Sequence, residues 1–127
     1  MNLLLDTHAL IWFITDNDKL SSLAKQNIEN KQNNCFVSIA SFWEIGIKHS
    51  LGRLDLNSDL SKIFKIIEAT EFDILPITVN QILLNSKLEY HHQDPFDRII
   101  IAQAISENLT IISKDSQFDK YNVPIIW

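Results

Sequence analysis

With 127 residues, 46% of them hydrophobic, the chain can bury a substantial core, and we expect one compact domain over residues 1–127. Its formal net charge of -5 argues against broad electrostatic adhesion to nucleic acid or to anionic membranes. No apolar run approaches membrane-spanning length and the single cysteine excludes an internal disulfide, which together favour a cytoplasmic protein.

The first half of the chain alternates short apolar runs with segments of helical periodicity. Leu3–Leu5 is wholly apolar, as a strand buried on both faces would be, and the acid that follows it is not typical of a secretory signal. Cys35 adjoins the next apolar run and is expected to be a buried small hydrophobe. We predict a strand at 3–5, a helix at 8–14, a helix within 21–32, a strand at 36–38 and a largely buried helix at 39–49.

The second half continues this alternation after a break at Leu51–Arg53, where Gly52 can end a helix. We predict an amphipathic helix at 58–69, a strand at 72–77, a helix at 79–88, a polar loop at 89–93, a long apolar helix at 96–109, a strand at 110–113 and a closing strand at 123–127. Strands that alternate with helices predict an α/β fold whose mostly parallel sheet is covered on both faces.

Two acids follow predicted strands. Asp6 comes directly after the first strand, and Asp115 follows the strand at 110–113. Ligands of open α/β sheets bind beyond the carboxyl ends of the strands, so these two acids are expected to share a crevice. The alternative for Asp6 is that its side chain only caps the helix that begins after it.

Two further acids lie at the start of the long apolar helix, in the sequence Asp94-Pro95-Phe96-Asp97. Asp at the N-cap, Pro at the first position and an acid in the first turn all suit a helix start, so capping alone would explain both acids. The same positions also let both carboxylates point into one opening. Asp97 is therefore a candidate site residue, and Asp94 is either a supporting acid or a cap.

Glu44 lies in the apolar segment Ser41–Ile47, where a charge needs a partner. Lys48, four residues later, is in the favourable position for a helical ion pair. If that pair is the whole explanation, Glu44 lies at an exposed edge of its helix. The alternative is that Glu44 belongs to the same site as the other acids.

Together the acids form a candidate metal site drawn from four separate segments. Carboxylate oxygens suit Mg²⁺ or Mn²⁺, and without a cation their mutual repulsion would raise some of their pKa values. A polyanionic substrate would need such a cation or local basic residues, for which the candidates are Lys48, Arg53, Arg98 and Lys114. The candidate ligands are Asp6, Glu44, Asp97 and Asp115, with Asp94 close by.

The histidine pair and the three tryptophans are expected to have structural roles. His91 and His92 lie in a polar loop without another ligand at zinc-binding spacing, so we expect them to be solvent-exposed. Trp12, Trp43 and Trp127 have apolar neighbours and are expected to anchor the core rather than to stack on bases.

The chain resembles the PIN-domain nuclease family, and most closely its VapC-type toxin branch. Four segments carry the resemblance, in the family's order and with similar spacing: Leu3–His8, Ser41–Lys48, His92–Ala104 and Ile112–Asp115. The resemblance extends over essentially the whole chain. It implies a three-layer α/β/α sandwich around a parallel sheet.

The resemblance also implies an activity and a set of roles. A family member would bind Mg²⁺ or Mn²⁺ and hydrolyse RNA. Asp6 and Asp97 would hold the principal ion, while Glu44 and Asp115 would complete the site directly or through water. A homodimer and inhibition by a small cognate antitoxin are further implications. Thr7, Ser113 and Arg98 are candidates to orient ligands or phosphate, although Arg98 is equally placed to pair with acids of its own helix.

Three other classes of protein fit the sequence less well. A haloacid-dehalogenase-like phosphatase needs a second acid two residues after the first, but that position is His8. A phospho-receiver domain normally has paired acids after its first strand, whereas only Asp6 is present there. A module that binds RNA without cutting it has no reason to concentrate negative charge in its crevice without a cation.

Overall fold

The computed structural model describes all residues from 1 to 127. The chain forms five strands and six α-helices, with two α-helices after each of the first three strands and a short 3₁₀ helix at Ser116–Lys120 before the last strand. The strands are β1 (Asn2–Leu5), β2 (Asn34–Ser38), β3 (Asp73–Leu75), β4 (Thr110–Ile112) and β5 (Ile125–Ile126). The helices are α1 (Thr7–Ile14), α2 (Ser22–Glu29), α3 (Ile39–Ser50), α4 (Leu60–Glu68), α5 (Val79–Lys87) and α6 (Pro95–Glu107).

All four strand pairings are parallel, and the strand order is β3-β2-β1-β4-β5. The first strand of the chain is therefore the centre of the sheet. Leu3, Leu4 and Leu5 of β1 are completely buried, as expected for a strand with helices on both sides. Because every strand runs in the same direction, the carboxyl ends of all five lie at one edge, and chemistry is expected at that edge.

Successive residues of β1 enter two different core layers, because side chains alternate across a strand. Leu3 and Leu5 pack in one cluster with apolar residues of α1, α2, α3 and α4. Leu4 packs in a second cluster with residues of α6, including Ile100 and Ile101. Helices therefore cover both faces, which confirms the predicted three-layer α/β/α sandwich.

Every predicted helix and strand is present, with bounds that differ by a few residues. The 3₁₀ helix after Asp115 was not predicted, because a segment of five residues gives too little periodicity to recognise. Gly52 lies just past the end of α3 with a φ of +69°, a left-handed conformation that favours glycine. Cys35 is buried as predicted. No helix has both the length and the apolar character needed to cross a membrane.

One prediction about the core is wrong. Trp43 is 64% exposed and lies on the outer side of α3, with its indole edge-on to Phe96 of α6. Its neighbours Phe42 and Glu44 occupy the buried side of the helix, because consecutive residues of a helix point in different directions. The expectation that α3 is largely buried therefore holds only for part of its surface. Trp12 and Trp127 do pack against the core.

Candidate metal centre

Asp6 lies where β1 ends and α1 begins, and its buried side chain joins the two elements. Its Oδ1 accepts a hydrogen bond from the backbone N–H of Ala9 at 2.8 Å, so the expected helix cap is present. Its Oδ2 accepts from the hydroxyl of Ser113, just beyond β4, at 2.6 Å. The cap uses one oxygen only, and capping therefore does not account for the whole residue.

Glu44 is only 2% exposed, on the side of α3 that faces the protein interior. The ion pair with Lys48 is present through Oε2, but the exposed helix edge that this pair implied is wrong. Oε1 is buried and has no hydrogen-bond partner. An unpaired buried carboxylate oxygen is costly, so Glu44 has an unused acceptor that a cation or a donor would satisfy.

Asp94 and Asp97 lie at the start of α6. Asp94 is the N-cap, and its Oδ1 accepts from the backbone N–H groups of Phe96 and Asp97, both at 2.9 Å. The predicted cap is confirmed for Asp94. The side chain of Asp97 is 20% exposed and lies in the first turn, with Oδ2 at 3.6 Å from Nε2 of His92.

Asp115 follows β4 and caps the 3₁₀ helix, since its Oδ1 accepts from the backbone N–H of Gln117 at 2.9 Å. Its own backbone N–H donates to Oγ of Ser113 at 3.0 Å. Ser113 therefore contacts both Asp6 and Asp115, and it ties the ends of β1 and β4 together. Unlike Asp6 and Glu44, Asp115 is solvent-exposed.

Acids from all four segments affect the pKa of one carboxyl group, that of Asp97. The pKa of Asp97 is raised to about 8, first by burial and then by the charges of Asp94, Glu44, Asp6 and Asp115, in that order. Burial also raises the pKa of Asp6, partly offset by the hydrogen bonds from Ser113 and Ala9. Uncompensated negative charge around a half-buried carboxyl group is the condition that a divalent cation relieves.

The donor set fits a hard divalent cation, because it consists of carboxylate oxygens and includes the unpartnered Oε1 of Glu44. No three Asp, Glu, His or Cys side chains lie close enough together to form a metal-binding group as they stand. Asp6 and Glu44 are instead held by Ser113 and Lys48. The assignment of individual ligands remains a prediction.

Two expectations about the surroundings of the acids are wrong. Arg98 is 3% exposed and its guanidinium donates to the backbone carbonyls of Asn85, Leu88 and Glu89, so it pairs with no acid of its own helix and is not free for phosphate. His92 is not solvent-exposed, since its Nδ1 lies 2.8 Å from the Tyr121 hydroxyl. No spacing in the sequence connects His92 with a tyrosine 29 residues later.

The raised pKa of Asp97 has a consequence for the metal-free protein. In the folded protein Asp97 keeps its proton up to about pH 8, whereas in the unfolded chain it loses that proton above its ordinary pKa of 3.8. The free energy of unfolding therefore falls as pH rises towards 8. We expect a loss of about 1 kcal/mol between pH 6.5 and 7.5, which lowers the melting temperature by about 4 °C. Thermal unfolding in chelator, monitored by circular dichroism at several pH values, measures this dependence of stability on pH.

This pH window keeps His92 from obscuring the result. Burial lowers the pKa of His92, so its contribution to stability is lost mainly as pH falls below its ordinary value of 6.5, and the slope it produces is opposite in sign. The variant Asp97→Asn is the control and is expected to flatten the curve. A melting temperature that is constant or rises between pH 6.5 and 7.5 would contradict the burial of an acid group at this site.

The family model described as PIN domain matches residues 3–124. No curated protein sequence matches the chain. Among solved structures, the chain is similar to VapBC2 from Rickettsia felis bound to promoter DNA, with a TM-score of 0.76, 17% identity, and coverage of 100% of this chain and 99% of that one. It is also similar to VapBC-1 from nontypeable Haemophilus influenzae, with a TM-score of 0.71, 17% identity and coverage of 99% and 97%. At this level of identity the solved structures show the fold alone.

Proposed function

This chain belongs to the PIN domain family, and from that premise we propose that it is a metal-dependent endoribonuclease that acts as the toxin of a type II toxin–antitoxin pair. The observation that carries the proposal is a set of acids from four segments, of which Asp94, Glu44, Asp6 and Asp115 all act through their charges on Asp97. Glu44 is the most telling member, because it is buried with one oxygen unpaired. A helix with only a structural role would gain nothing from a buried, unpaired carboxylate oxygen, which costs free energy.

The metal in this proposal is Mg²⁺, with Mn²⁺ as an alternative. Asp6 and Asp97 would hold it directly, Glu44 and Asp115 would complete the site directly or through water, and Asp94 would support them. When bound, the cation would activate water and stabilise the charge that develops on a phosphodiester. The chain orients its acids for this task, because Ser113 holds Asp6 and Lys48 holds Glu44.

RNA is the proposed substrate, and a divalent cation explains how a chain of net charge -5 would receive a polyanion. Lys114 would add positive charge beside the same site, since it is exposed between Ser113 and Asp115. Arg98 is not available for this purpose, because its donors are used within the protein. The RNA sequence or shape that is cut would depend on surface contacts around the crevice.

The proposed partner is a cognate antitoxin protein, a proposal supported by similar solved structures that are toxin–antitoxin complexes. These include a toxin–antitoxin complex from Klebsiella pneumoniae, with a TM-score of 0.69, 17% identity and coverage of 98% of this chain and 96% of that one. We further propose that the chain is one domain, forms a homodimer and works in the cytoplasm, where its RNA substrate is found.

Cleavage of labelled total RNA tests the proposal. Purified protein free of any partner is expected to cut RNA in Mg²⁺ or Mn²⁺ and to lose this activity in chelator, because the acids need the cation to act on a phosphodiester. Activity should return when Mn²⁺ is added in excess of the chelator. Cutting that persists in chelator would point to a metal-free mechanism, and folded protein that neither binds Mn²⁺ nor cuts RNA would favour the helix-capping explanation.

A further inference from the structure

A chain of polar contacts connects Arg98 to Asp97 through two other side chains. Nη1 of Arg98 donates to the Tyr121 hydroxyl at 3.1 Å, and that hydroxyl lies 2.8 Å from Nδ1 of His92. On the other side of the ring, Nε2 of His92 lies 3.6 Å from Oδ2 of Asp97. The acid at the centre of the candidate metal site is therefore the end point of a buried network.

The network determines which nitrogen of His92 carries the proton. A guanidinium has donors only, so Tyr121 must accept from Arg98, and the proton of the phenol then needs an acceptor. The hydroxyl has no hydrogen-bond partner other than Arg98 and His92, so it donates to Nδ1. A ring that accepts at Nδ1 is neutral and carries its hydrogen on Nε2.

That Nε2–H group is the unfinished part of the network. It is buried and has no hydrogen-bond partner at normal distance, and a buried donor without an acceptor is destabilising. Asp97 Oδ2, at 3.6 Å, lies just beyond hydrogen-bonding distance. A small rotation of the Asp97 side chain would complete the contact.

We propose that His92 is a positioning residue for Asp97: its Nε2–H, fixed by Tyr121 and Arg98, holds the Asp97 carboxylate in the orientation that receives a divalent cation. The inference rests on the proposed function, because it assigns a role to the surroundings of the same acid. Carboxylates that bind metals are themselves hydrogen-bonded, and the loss of such a partner typically weakens metal binding 10–100-fold. His92 would act through Asp97 and would not touch substrate.

The position of the proton is tested first, on metal-free wild-type protein at pH 7.5. Nitrogen-15 NMR distinguishes protonated from unprotonated ring nitrogens, and we expect His92 to show a protonated Nε2 and an unprotonated Nδ1. The variant Tyr121→Phe removes the hydroxyl that fixes this form, so a mixture of the two tautomers is expected. A wild-type ring protonated at Nδ1 would overturn the inference without reference to any metal.

Binding of Mn²⁺ alone, measured by calorimetry, tests the second part. The variant His92→Leu is expected to weaken Mn²⁺ binding about 10–100-fold, whereas His92→Gln, which keeps an N–H donor at similar reach, should restore most of the affinity. The matched control is His91→Leu, because Nε2 of His91 lies 3.3 Å from Glu89 and not beside Asp97. Melting temperatures in chelator show whether each variant is folded at the temperature of the titration.

The outcomes separate this inference from the proposed function. Wild-type affinity in folded His92→Leu, beside a loss in Asp97→Asn, would overturn the role of His92 alone. A lower melting temperature in His92→Leu with unchanged Mn²⁺ affinity would show a purely structural residue and would also overturn it. A wild-type protein that binds no Mn²⁺ would overturn the proposed metal centre itself. If His92→Leu does not fold, the Gln and Phe variants carry the comparison.

Discussion

Replacement of Asp97 by asparagine is expected to reduce RNA cleavage by about 10³-fold and to stabilise the metal-free protein. The first effect follows because the cation contributes several kcal/mol of transition-state stabilisation, and 4 kcal/mol corresponds to about three powers of ten in rate. The second follows because a neutral amide never carries the negative charge that this environment disfavours. Burial and four neighbouring acids already disfavour the ionised form of Asp97 and raise its pKa to about 8.

Opposite signs for activity and stability distinguish this prediction from simple damage to the fold. Single-turnover cleavage of labelled RNA in Mn²⁺ measures the first effect, and urea unfolding in chelator at pH 7.5 measures the second. The matched control is Asp73→Asn, since Asp73 is an exposed acid at the start of β3, at the opposite end of the sheet from the site. Undiminished cleavage by Asp97→Asn would remove the acidic cluster from the mechanism.

Replacement of Arg98 by methionine is expected to lower the free energy of unfolding by at least 3 kcal/mol. The guanidinium donates four hydrogen bonds, three of them to the carbonyls of Asn85 in the last turn of α5 and of Leu88 and Glu89 just after it. It also stacks 3.8 Å above the ring of Tyr90. Methionine fills much of the space but removes these hydrogen bonds from a charged donor, which contribute about 1.5–3 kcal/mol each. It also leaves the carbonyl of Leu88 without a donor, whereas the carbonyls of Asn85 and Glu89 keep backbone donors.

Urea unfolding in chelator again provides the measurement, and two further variants define the cause. Arg98→Lys keeps the charge, but a single ammonium group cannot reproduce the fork of the guanidinium, so most of the loss should remain. Arg53→Met is the surface control, since Arg53 is exposed, and a change within about 0.5 kcal/mol is expected. A stable Arg98→Met protein would mean that the loop before α6 does not depend on these hydrogen bonds.

The architecture was predictable because it depends on patterns that are local in the sequence. An uninterrupted apolar run such as Leu3–Leu5 has few explanations other than a strand buried on both faces. The spacing of Ile63 and Ile67 identifies an amphipathic helix in the same way. Once strands and helices alternate, the parallel sheet with two helical layers follows from the short list of possible arrangements. Periodicity does not say which side of α3 faces outward, and Trp43 was therefore misplaced.

The sequence predicts which acids belong to the candidate site but not the contacts that these acids make. Asp6, Asp97 and Asp115 are candidates because strand ends and helix starts are visible in the sequence, and because the segments resemble a known family. The burial of Glu44 and the network through Tyr121 depend on how α3, α6 and the last loop pack together. Such contacts join residues far apart in the chain, and no local pattern encodes them.

The position of β1 at the centre of the sheet has a consequence for how the protein is made. Asp6 is held by the hydroxyl of Ser113, which is added to the growing chain 107 residues after it. At about 5–20 residues per second, the ribosome adds that serine roughly 5–20 s after the aspartate. The neighbour of β1 on that side, β4, is equally late. A nascent chain therefore carries no assembled candidate site until β4 and Ser113 have been added, which delays any activity of that site by the same interval.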